Sequence, residues 1–239
     1  MDLKELESGV DQKTHWYYQS KKIPLIHFVK KVFARKKVPL TLIDVGSGSG
    51  FFMYELRETI PEMISKIFLV DTGYSNEEVL FTKNEFIEKA KSLPGKIENA
   101  IVVMMDVLEH LEDDHAMLQA IKEKSVGENF FFITVPAFNS LHSGHDVYLG
   151  HYRRYTKDTL ANLLAGSDFR IHALYYIYGI IFPAVWLTRR IKNKSSPRSD
   201  MRPLNPVVNT ILKIICSVEM PLRKLNRVAG VSCVSEGRI

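Results

Sequence analysis

Apolar and polar residues follow one another in blocks that predict strands and helices in turn. Short continuous apolar runs are typical of strands buried on both faces of a sheet. The predicted strands are 39–45, 66–72, 79–86 (the weakest), 100–106, 129–137, 170–178 and 231–239. Apolar residues at helical spacing predict helices at 23–35, 51–60, 113–124 and 156–169. This alternation predicts an open, mostly parallel sheet with helices on both faces.

The pattern changes in residues 180–229. Two stretches that combine apolar and basic residues, 180–194 and 205–225, flank a linker rich in Pro and Ser. Helices of this composition can lie in a membrane interface, which we favour, although a helical cap on the sheet or on another subunit would fit as well. The expected organisation is a core with an N-terminal helical lid (1–179), a helical insertion (180–229) and a final strand (230–239).

Composition narrows the class of protein only slightly. Hydrophobic residues make up 46% of the 239 residues and charged residues 25%, values that exclude disordered and fibrous proteins. The net charge of +5 suits an anionic partner without selecting one. The two cysteines, Cys216 and Cys233, have no metal-ligand spacing and predict a reducing compartment. The N-terminal segment is polar and acidic, unlike a signal peptide, and the longest apolar run, 173–187, is shorter than the ~20 residues that span a bilayer.

A glycine-rich loop joins the first predicted strand to the following helix. Glycines there allow tight turns and close approach to a ligand. Asp71, 21 residues after Gly50, ends the next predicted strand and could accept hydrogen bonds from ribose hydroxyls. The Gly-x-Gly-x-Gly spacing differs from the Gly-x-Gly-x-x-Gly of dinucleotide enzymes. Asp44, just before the loop, would suit the ammonium of an amino-acid moiety, indirectly or through water.

Three segments resemble the class I S-adenosylmethionine (SAM) dependent methyltransferases: LIDVGSGSG (42–50), LVDT (69–72) and MMDVLEHLEDD (104–114). The resemblance is closer to a bacterial subgroup with an aromatic motif like HWYY (15–18) and a stretch like VPAFNSLHSGHDVYLGHYRRYT (135–156). Such proteins are often associated with the synthesis of cell-envelope polysaccharide or lipid-linked glycan. The resemblance covers most of 15–175 and implies an α/β, Rossmann-like seven-stranded sheet whose last strand is antiparallel, with the insertion before it.

The resemblance also implies SAM as the cofactor and assigns residues to it by position. The methionine side would be lined by Asp44, Gly46, Ser47, Gly48 and Gly50. Asp71 would hold the ribose, and Thr72 beside it would also contact the cofactor. Asp106 and Val107 would border the methyl-donor cleft, and Trp16 and Tyr17 would form part of a lid. Relatives usually carry Asp near the end of the third strand for adenine. This sequence departs from them, and Asn84 takes that place.

The polar loop after the fifth predicted strand holds the candidates for acceptor chemistry. An oxygen or nitrogen acceptor can need a general base, and His145 or Asp146 is preferred, with His151 and His110 as further catalytic candidates. The alternative is that these residues only brace the loop. Arg153 and Arg154, with Tyr152, are predicted to bind the acceptor because guanidinium groups pair well with phosphate and carboxylate. The alternative for the arginines is salt bridges to nearby acids.

One acidic and histidine-containing run has the spacing of a metal site, but we do not predict that it binds a metal. Asp106, Glu109 and His110 have the spacing of one helical face, and some methyltransferases bind a divalent metal through a similar acid-x-x-Glu-His run. The Leu-Glu-His turn also occurs in relatives with no known metal.

We therefore expect a cytoplasmic methyltransferase, peripheral on the inner face of the membrane. Its acceptor would be a hydroxyl, less readily an amine or carboxylate, of a glycan or lipid-linked intermediate. A non-catalytic SAM-binding partner of a glycosyltransferase and a small-molecule methyltransferase remain alternatives, and a homodimer remains open. An RNA methyltransferase, and nucleic acid as a partner, are disfavoured because the cations cluster beside apolar helices rather than along one groove.

Overall fold

The computed structural model describes residues 9–82, 85–191, 197 and 199–239. Its strands are β1 (Leu40–Val45), β2 (Ile64–Val70), β3 (Ile87–Ala90), β4 (Ile97–Glu98), β5 (Ala100–Met105), β6 (Ser125–Val126), β7 (Phe130–Pro136), β8 (Arg170–Ile177) and β9 (Ser232–Arg238). Its helices are α1 (Trp16–Lys36), α2 (Phe51–Thr59), α3 (Asn76–Phe81), α4 (Asp114–Lys124), α5 (Gly144–Leu149), α6 (Lys157–Gly166), α7 (Phe182–Ile191) and α8 (Pro206–Leu222).

Seven strands form one sheet in the order β3-β2-β1-β5-β7-β9-β8. The strands are parallel except β9, which runs antiparallel to both β7 and β8. The predicted Rossmann-like sheet is thereby confirmed, including the antiparallel last strand and the helical insertion, since α7 and α8 lie between β8 and β9. A small parallel pair, β4 and β6, was not predicted because each strand has only two residues.

The prediction of a third strand at 79–86 is wrong. Most of the apolar part of that run lies in helix α3, which begins at a capping box in which the Ser75 and Glu78 side chains accept each other's backbone N–H groups. Leu80 and Phe81 are 73% and 86% exposed, so this run is not buried in a sheet. The third strand is β3, which begins later, at Ile87.

Strands such as β1 contribute to two cores because alternate side chains point to opposite faces of the sheet. Leu40 and Leu42 of β1 face the core formed with α1, α2 and α8, whereas Ile43 and Val45 face the core formed with α4 and α6. Helix α1 is longer than the predicted 23–35 and packs on the sheet along most of its length. Its first turn, at Trp16 and Tyr17, also borders a cavity.

The insertion is bound tightly to the core. The buried Glu219 carboxylate of α8 accepts hydrogen bonds from the backbone N–H groups of Gly179 (2.7 Å) and Ile180 (3.2 Å), where the insertion begins. The Asn209 side chain accepts from the Trp16 N–H at 2.9 Å and donates to the Thr14 carbonyl at 2.9 Å. Helix α8 therefore fixes the start of α1.

None of the helices in the described part of the chain is both long and apolar enough to cross a membrane.

Replacing Glu219 with Ala should destabilise the protein by about 2 kcal/mol, because the N–H groups of Gly179 and Ile180 would lose a charged acceptor. Urea unfolding followed by circular dichroism measures the change. Glu123→Ala, at an exposed position of α4, should leave the free energy of unfolding nearly unchanged. Equal stability of the two variants would contradict the role assigned to Glu219.

Candidate active site

Two adjoining cavities lie at the carboxyl ends of the parallel strands. The glycine-loop cavity, about 430 Å³, lies between the loop after β1 and the ends of β2, β3 and β5. The insertion cavity, about 640 Å³, lies between the end of β5, the loop after β7, the first turn of α1 and the insertion. Asp106 and His110 line both cavities. Ligands in the two cavities would therefore meet at these two residues.

The glycine loop turns tightly where side chains would not fit. Gly46 and Gly50 adopt the left-handed backbone region, with φ of 67° and 74°. A Cβ on Gly46 would lie 2.7 Å from a Val107 methyl carbon, and one on Gly50 would lie 2.8 Å from a Leu69 methyl carbon. Gly46 and Val107 both line the glycine-loop cavity.

Asp71 holds the loop and faces the same cavity. One carboxylate oxygen accepts from the Gly48 N–H at 2.8 Å and the other from the Gly73 N–H at 2.9 Å. Each oxygen keeps a lone pair for a ligand hydroxyl. Thr72 lines the cavity beside it. Ser47 has a different position from that predicted, since its buried hydroxyl shares a hydrogen bond of 2.7 Å with the Tyr74 hydroxyl.

Asp44 is 5% exposed and lies buried beneath the loop. It is not among the described residues that line the glycine-loop cavity. Burial, assisted by the nearby charge of Asp71, raises the pKa of Asp44 to about 7. A cation bound close to the loop would favour its ionised form.

The predicted adenine contact, Asn84, lies outside the described residues. The residues that line the glycine-loop cavity after the third strand are Lys91, Ser92 and Leu93. Sequence reasoning missed them because it ended the third strand several residues too early. The end of β3 at Ala90 would have pointed to them.

Asp106 forms a buried ion pair that sequence reasoning also missed. It follows β5 with a left-handed φ of 56°. The Lys21 ammonium, 1% exposed, contacts one carboxylate oxygen of Asp106 and donates to the Tyr17 hydroxyl at 2.6 Å. Tyr17 donates to the same oxygen at 3.0 Å, and Thr134 donates to the other at 3.0 Å. Lys21 gave no signal because basic residues recur throughout its helix.

Trp16 and Tyr17 line the insertion cavity. They are not among the described residues that line the glycine-loop cavity. The Tyr17 ring stacks on Tyr178 with centroids 5.7 Å apart, and the Trp16 ring meets Tyr178 edge-on at 5.6 Å. Their predicted role as a cofactor lid stays a prediction.

The fully buried Asp146 carboxylate organises the loop after β7. It accepts hydrogen bonds from His151 Nδ1 (2.9 Å), Arg154 Nε (2.7 Å) and the Ser143 N–H (2.8 Å), and Arg189 of α7 lies 3.6 Å away. Burial alone would raise the pKa of Asp146, but the hydrogen bonds from His151 and Arg154 and the arginine charges hold it well below its ordinary value. The geometry therefore favours the bracing alternative over a general base for Asp146.

His145 lines the insertion cavity as a neutral side chain. Burial lowers its pKa to about 4, and the charge of Arg189 acts in the same direction. Its Nδ1 accepts a hydrogen bond from the Asp200 N–H at 3.1 Å, so the neutral ring carries its proton on Nε2. In this arrangement Nε2 is a donor, which does not favour His145 as the base.

Glu109, His110 and His151 converge where the two cavities meet. One carboxylate oxygen and one nitrogen of each ring all lie within 4.8 Å of one another, and the rings stand edge to face with centroids 4.6 Å apart. Glu109 is fully buried, which raises its pKa to about 8. Neither of its carboxylate oxygens has a hydrogen-bond partner within the part of the chain that the structure describes. We call these three residues the junction cluster.

The predicted acceptor-binding residues divide into two groups. Arg154 lines the insertion cavity, but its guanidinium is already bonded to Asp146 and to the Ala137 carbonyl. Arg153 bonds to the Glu112 carbonyl and to Asp114, and Tyr152 is 59% exposed. Arg153 and Tyr152 are not among the described residues that line either cavity.

The insertion supplies two other arginines to its cavity, Arg189 and Arg202. Sequence reasoning had counted Arg189 only among the cations that would contact a membrane, because nothing in the sequence shows which face of α7 turns inward.

Comparison with known proteins agrees with this arrangement. Residues 15–174 match the model of the family described as "Methyltransferase domain". The chain is similar in structure to the Burkholderia thailandensis 1,6-didemethyltoxoflavin-N1-methyltransferase with bound 1,6-didemethyltoxoflavin and S-adenosylhomocysteine, at 14% identity and a TM-score of 0.55, over 93% of this chain and 80% of that one. It is also similar to a chain from the complex of the Haloferax volcanii Trm112 methyltransferase activator with a methyltransferase, at 18% identity and a TM-score of 0.51, over 88% of each chain. No curated protein matches the chain in sequence.

The sheet topology and the glycine-loop cavity define an α/β enzyme with a Rossmann-like nucleotide site. The chain belongs to the methyltransferase domain family, and it is a SAM-dependent methyltransferase. Its residues fit this cofactor. Asp71 offers a carboxylate at the end of the second strand, and Gly46, which has no side chain to enter the cavity, lines it directly.

Asp71→Ala should weaken SAM binding roughly 10- to 100-fold, because charge-assisted hydrogen bonds are worth about 1.5–3 kcal/mol. Titration calorimetry measures the affinity, and circular dichroism checks that the variant is folded. Asp158→Ala, at an exposed position of α6, is the matched control and should bind SAM like wild type. Unchanged affinity in a folded Asp71→Ala protein would remove the ribose assignment.

SAM affinity should depend on pH through Asp44. Its pKa of about 7 in the free protein means that a bound ammonium group must draw a proton off the carboxyl below neutrality. The affinity should therefore rise with pH up to about 7, by up to tenfold per pH unit, and then level off. Calorimetry across this range tests the slope, which Asp44→Asn should abolish. An equal slope in both proteins would assign the titration to another group.

Proposed function

We propose that the protein methylates a hydroxyl group of an anionic, lipid-linked glycan acceptor at the cytoplasmic face of a membrane. The finding that carries this proposal is that the insertion has two faces. Val185 and Arg189 of α7 and Leu212 of α8 line the insertion cavity, while the opposite side of α8 is exposed and aliphatic.

The exposed side of α8 forms a continuous stripe at helical spacing. We call it the aliphatic stripe, and its members, each between 51% and 66% exposed, are Val207, Ile211, Ile214, Val218 and Leu222. An apolar face of this kind on a helix that is not long enough to span suits insertion into the headgroup region of a bilayer. The helix that forms part of the wall of the insertion cavity would then contact the membrane surface that carries a lipid-linked acceptor.

The charge of the insertion also suits an anionic membrane. Residues 180–229 contain ten Lys or Arg and two Asp or Glu, so this segment carries a net charge of +8 while the whole chain carries +5. The remainder of the chain is therefore acidic overall. Basic residues beside a bilayer are attracted to anionic headgroups.

Within the insertion cavity, arginines favour an acceptor with a phosphate or carboxylate group. Arg202 has no hydrogen-bond or ion-pair partner among the described residues, and its guanidinium can form a bidentate pair with either group. Arg154 and Arg189 contribute a second positive region that Asp146 balances in part.

The junction cluster suits a hydroxyl acceptor. SAM supplies a methyl group already activated on a sulfonium sulfur, so the protein must position the acceptor and allow its proton to leave. Glu109, His110 and His151 are polar side chains that converge where the two cavities meet, within reach of an acceptor hydroxyl placed there. Asp106, paired with Lys21, borders both cavities beside them.

The membrane part of the proposal predicts that the protein floats with vesicles containing anionic lipid. Val207→Ser/Val218→Ser, in the aliphatic stripe, should reduce vesicle affinity at least about tenfold because two exposed apolar side chains are lost. The matched control is Val38→Ser/Val126→Ser, two exposed valines elsewhere on the protein, which should float like wild type. Substitution is preferable to deletion because Cys216 and Met220 of α8 are buried in the core.

Methyl transfer from radiolabelled SAM is then measured with the same proteins and an envelope lipid extract in vesicles. Label in an acidic glycolipid, lower for the stripe variant than for the control, supports the proposal. Label only in water-soluble molecules, or a wild type that never floats, would contradict it and leave the stripe as a surface for another protein. SAM binding without transfer to any fraction would favour a non-catalytic partner.

A further inference from the structure

We propose that Glu109, His110 and His151 bind one divalent transition-metal ion at the junction of the two cavities, where it binds the acceptor oxygen. This inference rests on the proposed function in one respect, namely that the acceptor atom is a hydroxyl oxygen.

The first argument is the geometry of the junction cluster. Donor atoms of the three side chains lie within 4.8 Å of one another. Ligand atoms at about 2.0–2.2 Å from one ion are roughly 3.5 Å apart in a tetrahedral site. Side-chain rotations that move the donor atoms by about an ångström would therefore let all three bind one ion.

The second argument is independent of the spacing. Glu109 is 0% exposed, and neither carboxylate oxygen has a hydrogen-bond partner among the described residues. Buried polar groups are nearly always paired, and a buried carboxylate is costly unless a charge or donor compensates it. A bound cation would supply that compensation.

The third argument is the orientation of His151. Its Nδ1 is bonded to the buried Asp146 carboxylate at 2.9 Å, which leaves Nε2 as the ring atom for a further bond. Metal-binding histidines commonly donate their second nitrogen to a carboxylate in this way. Arg154 contacts the same carboxylate and Arg189 lies near it, so Asp146 is held in position beside Nδ1.

The choice of ligands identifies the kind of ion. One carboxylate and two imidazoles suit Zn²⁺, Mn²⁺, Fe²⁺ or Co²⁺, whereas Mg²⁺ and Ca²⁺ prefer oxygen ligands. Asp106 is already engaged by Lys21, Tyr17 and Thr134, so the third ligand comes from the loop after β7 instead. Three protein ligands leave a coordination position for the acceptor, as in catalytic metal sites.

The ion would lower the pKa of the acceptor hydroxyl and help its proton to leave. The hydroxyl proton passes to water in the insertion cavity, and the oxygen forms a new bond to the methyl carbon. The bond from that carbon to sulfur breaks with its electron pair retained by sulfur. The products are the methyl ether, S-adenosylhomocysteine and one proton.

The test measures metal alone, without acceptor. Full-length protein treated with chelator and dialysed should bind about one Zn²⁺ per chain by calorimetry and elemental analysis, and Co²⁺ should give visible absorption bands typical of nitrogen and oxygen ligands. His110→Ala and His151→Ala should each weaken Zn²⁺ binding more than about 100-fold. Glu109→Gln should do so as well, and circular dichroism of each variant reports whether it is folded.

His172→Ala, at an exposed position of β8, removes a histidine away from the cluster and should bind Zn²⁺ and Co²⁺ like wild type. Absence of stoichiometric binding by wild type, or equal binding by His151→Ala and His172→Ala, would overturn the metal site and leave the acceptor proposal standing. Normal metal binding with no methyl transfer to glycolipid would instead overturn the acceptor and leave the metal site standing.

Discussion

The pair formed by Lys21 and Asp106 is the interaction on which the geometry of both cavities depends. A lysine that is 1% exposed needs a charged partner, because removing one member of a buried pair leaves an uncompensated charge. Asp106 reaches it from a left-handed backbone position directly after β5. The pair thus ties the beginning of α1 to the end of the central sheet. It places Trp16 and Tyr17 at the wall of the insertion cavity. The Asn209 side chain of α8 accepts a hydrogen bond from the Trp16 N–H, so α8 is attached to the same end of α1.

The position of Asp106 between the two cavities separates the part of the site formed by the core from the part formed with the insertion. The glycine loop, Asp71 and the end of β3 surround one cavity, and all of them belong to the sheet framework. The other cavity has walls from α1, from the loop after β7 and from the insertion, with Asp106 and His110 common to both cavities. Positioning by a rigid sheet favours methyl transfer, because donor and acceptor must align before the reaction.

Sequence reasoning succeeded where the signal is local. The glycine loop, Asp71 and most of the strands follow from residue spacing and from continuous apolar runs. It failed at β3, whose residues Ile87–Ala90 read IEKA and give no apolar run, while the exposed Leu80 and Phe81 gave a false one. It could not find the Lys21 pair or the role of Asp146 as the acceptor for His151 and Arg154, because both depend on contacts between distant segments. His151 was named, but nothing in the sequence placed its ring beside Glu109 and His110.

The position of the insertion also explains why the acceptor is harder to infer than the cofactor. Function on a shared fold is decided by the elements added to it, and here the insertion provides Val185, Arg189, Arg202 and Leu212 to the insertion cavity. Its helices are bonded to the core at Gly179 and at Trp16, so their inner face is held in register with Asp106 and the junction cluster. Their outer face carries the aliphatic stripe. The aliphatic stripe and the insertion cavity therefore lie on opposite sides of α8.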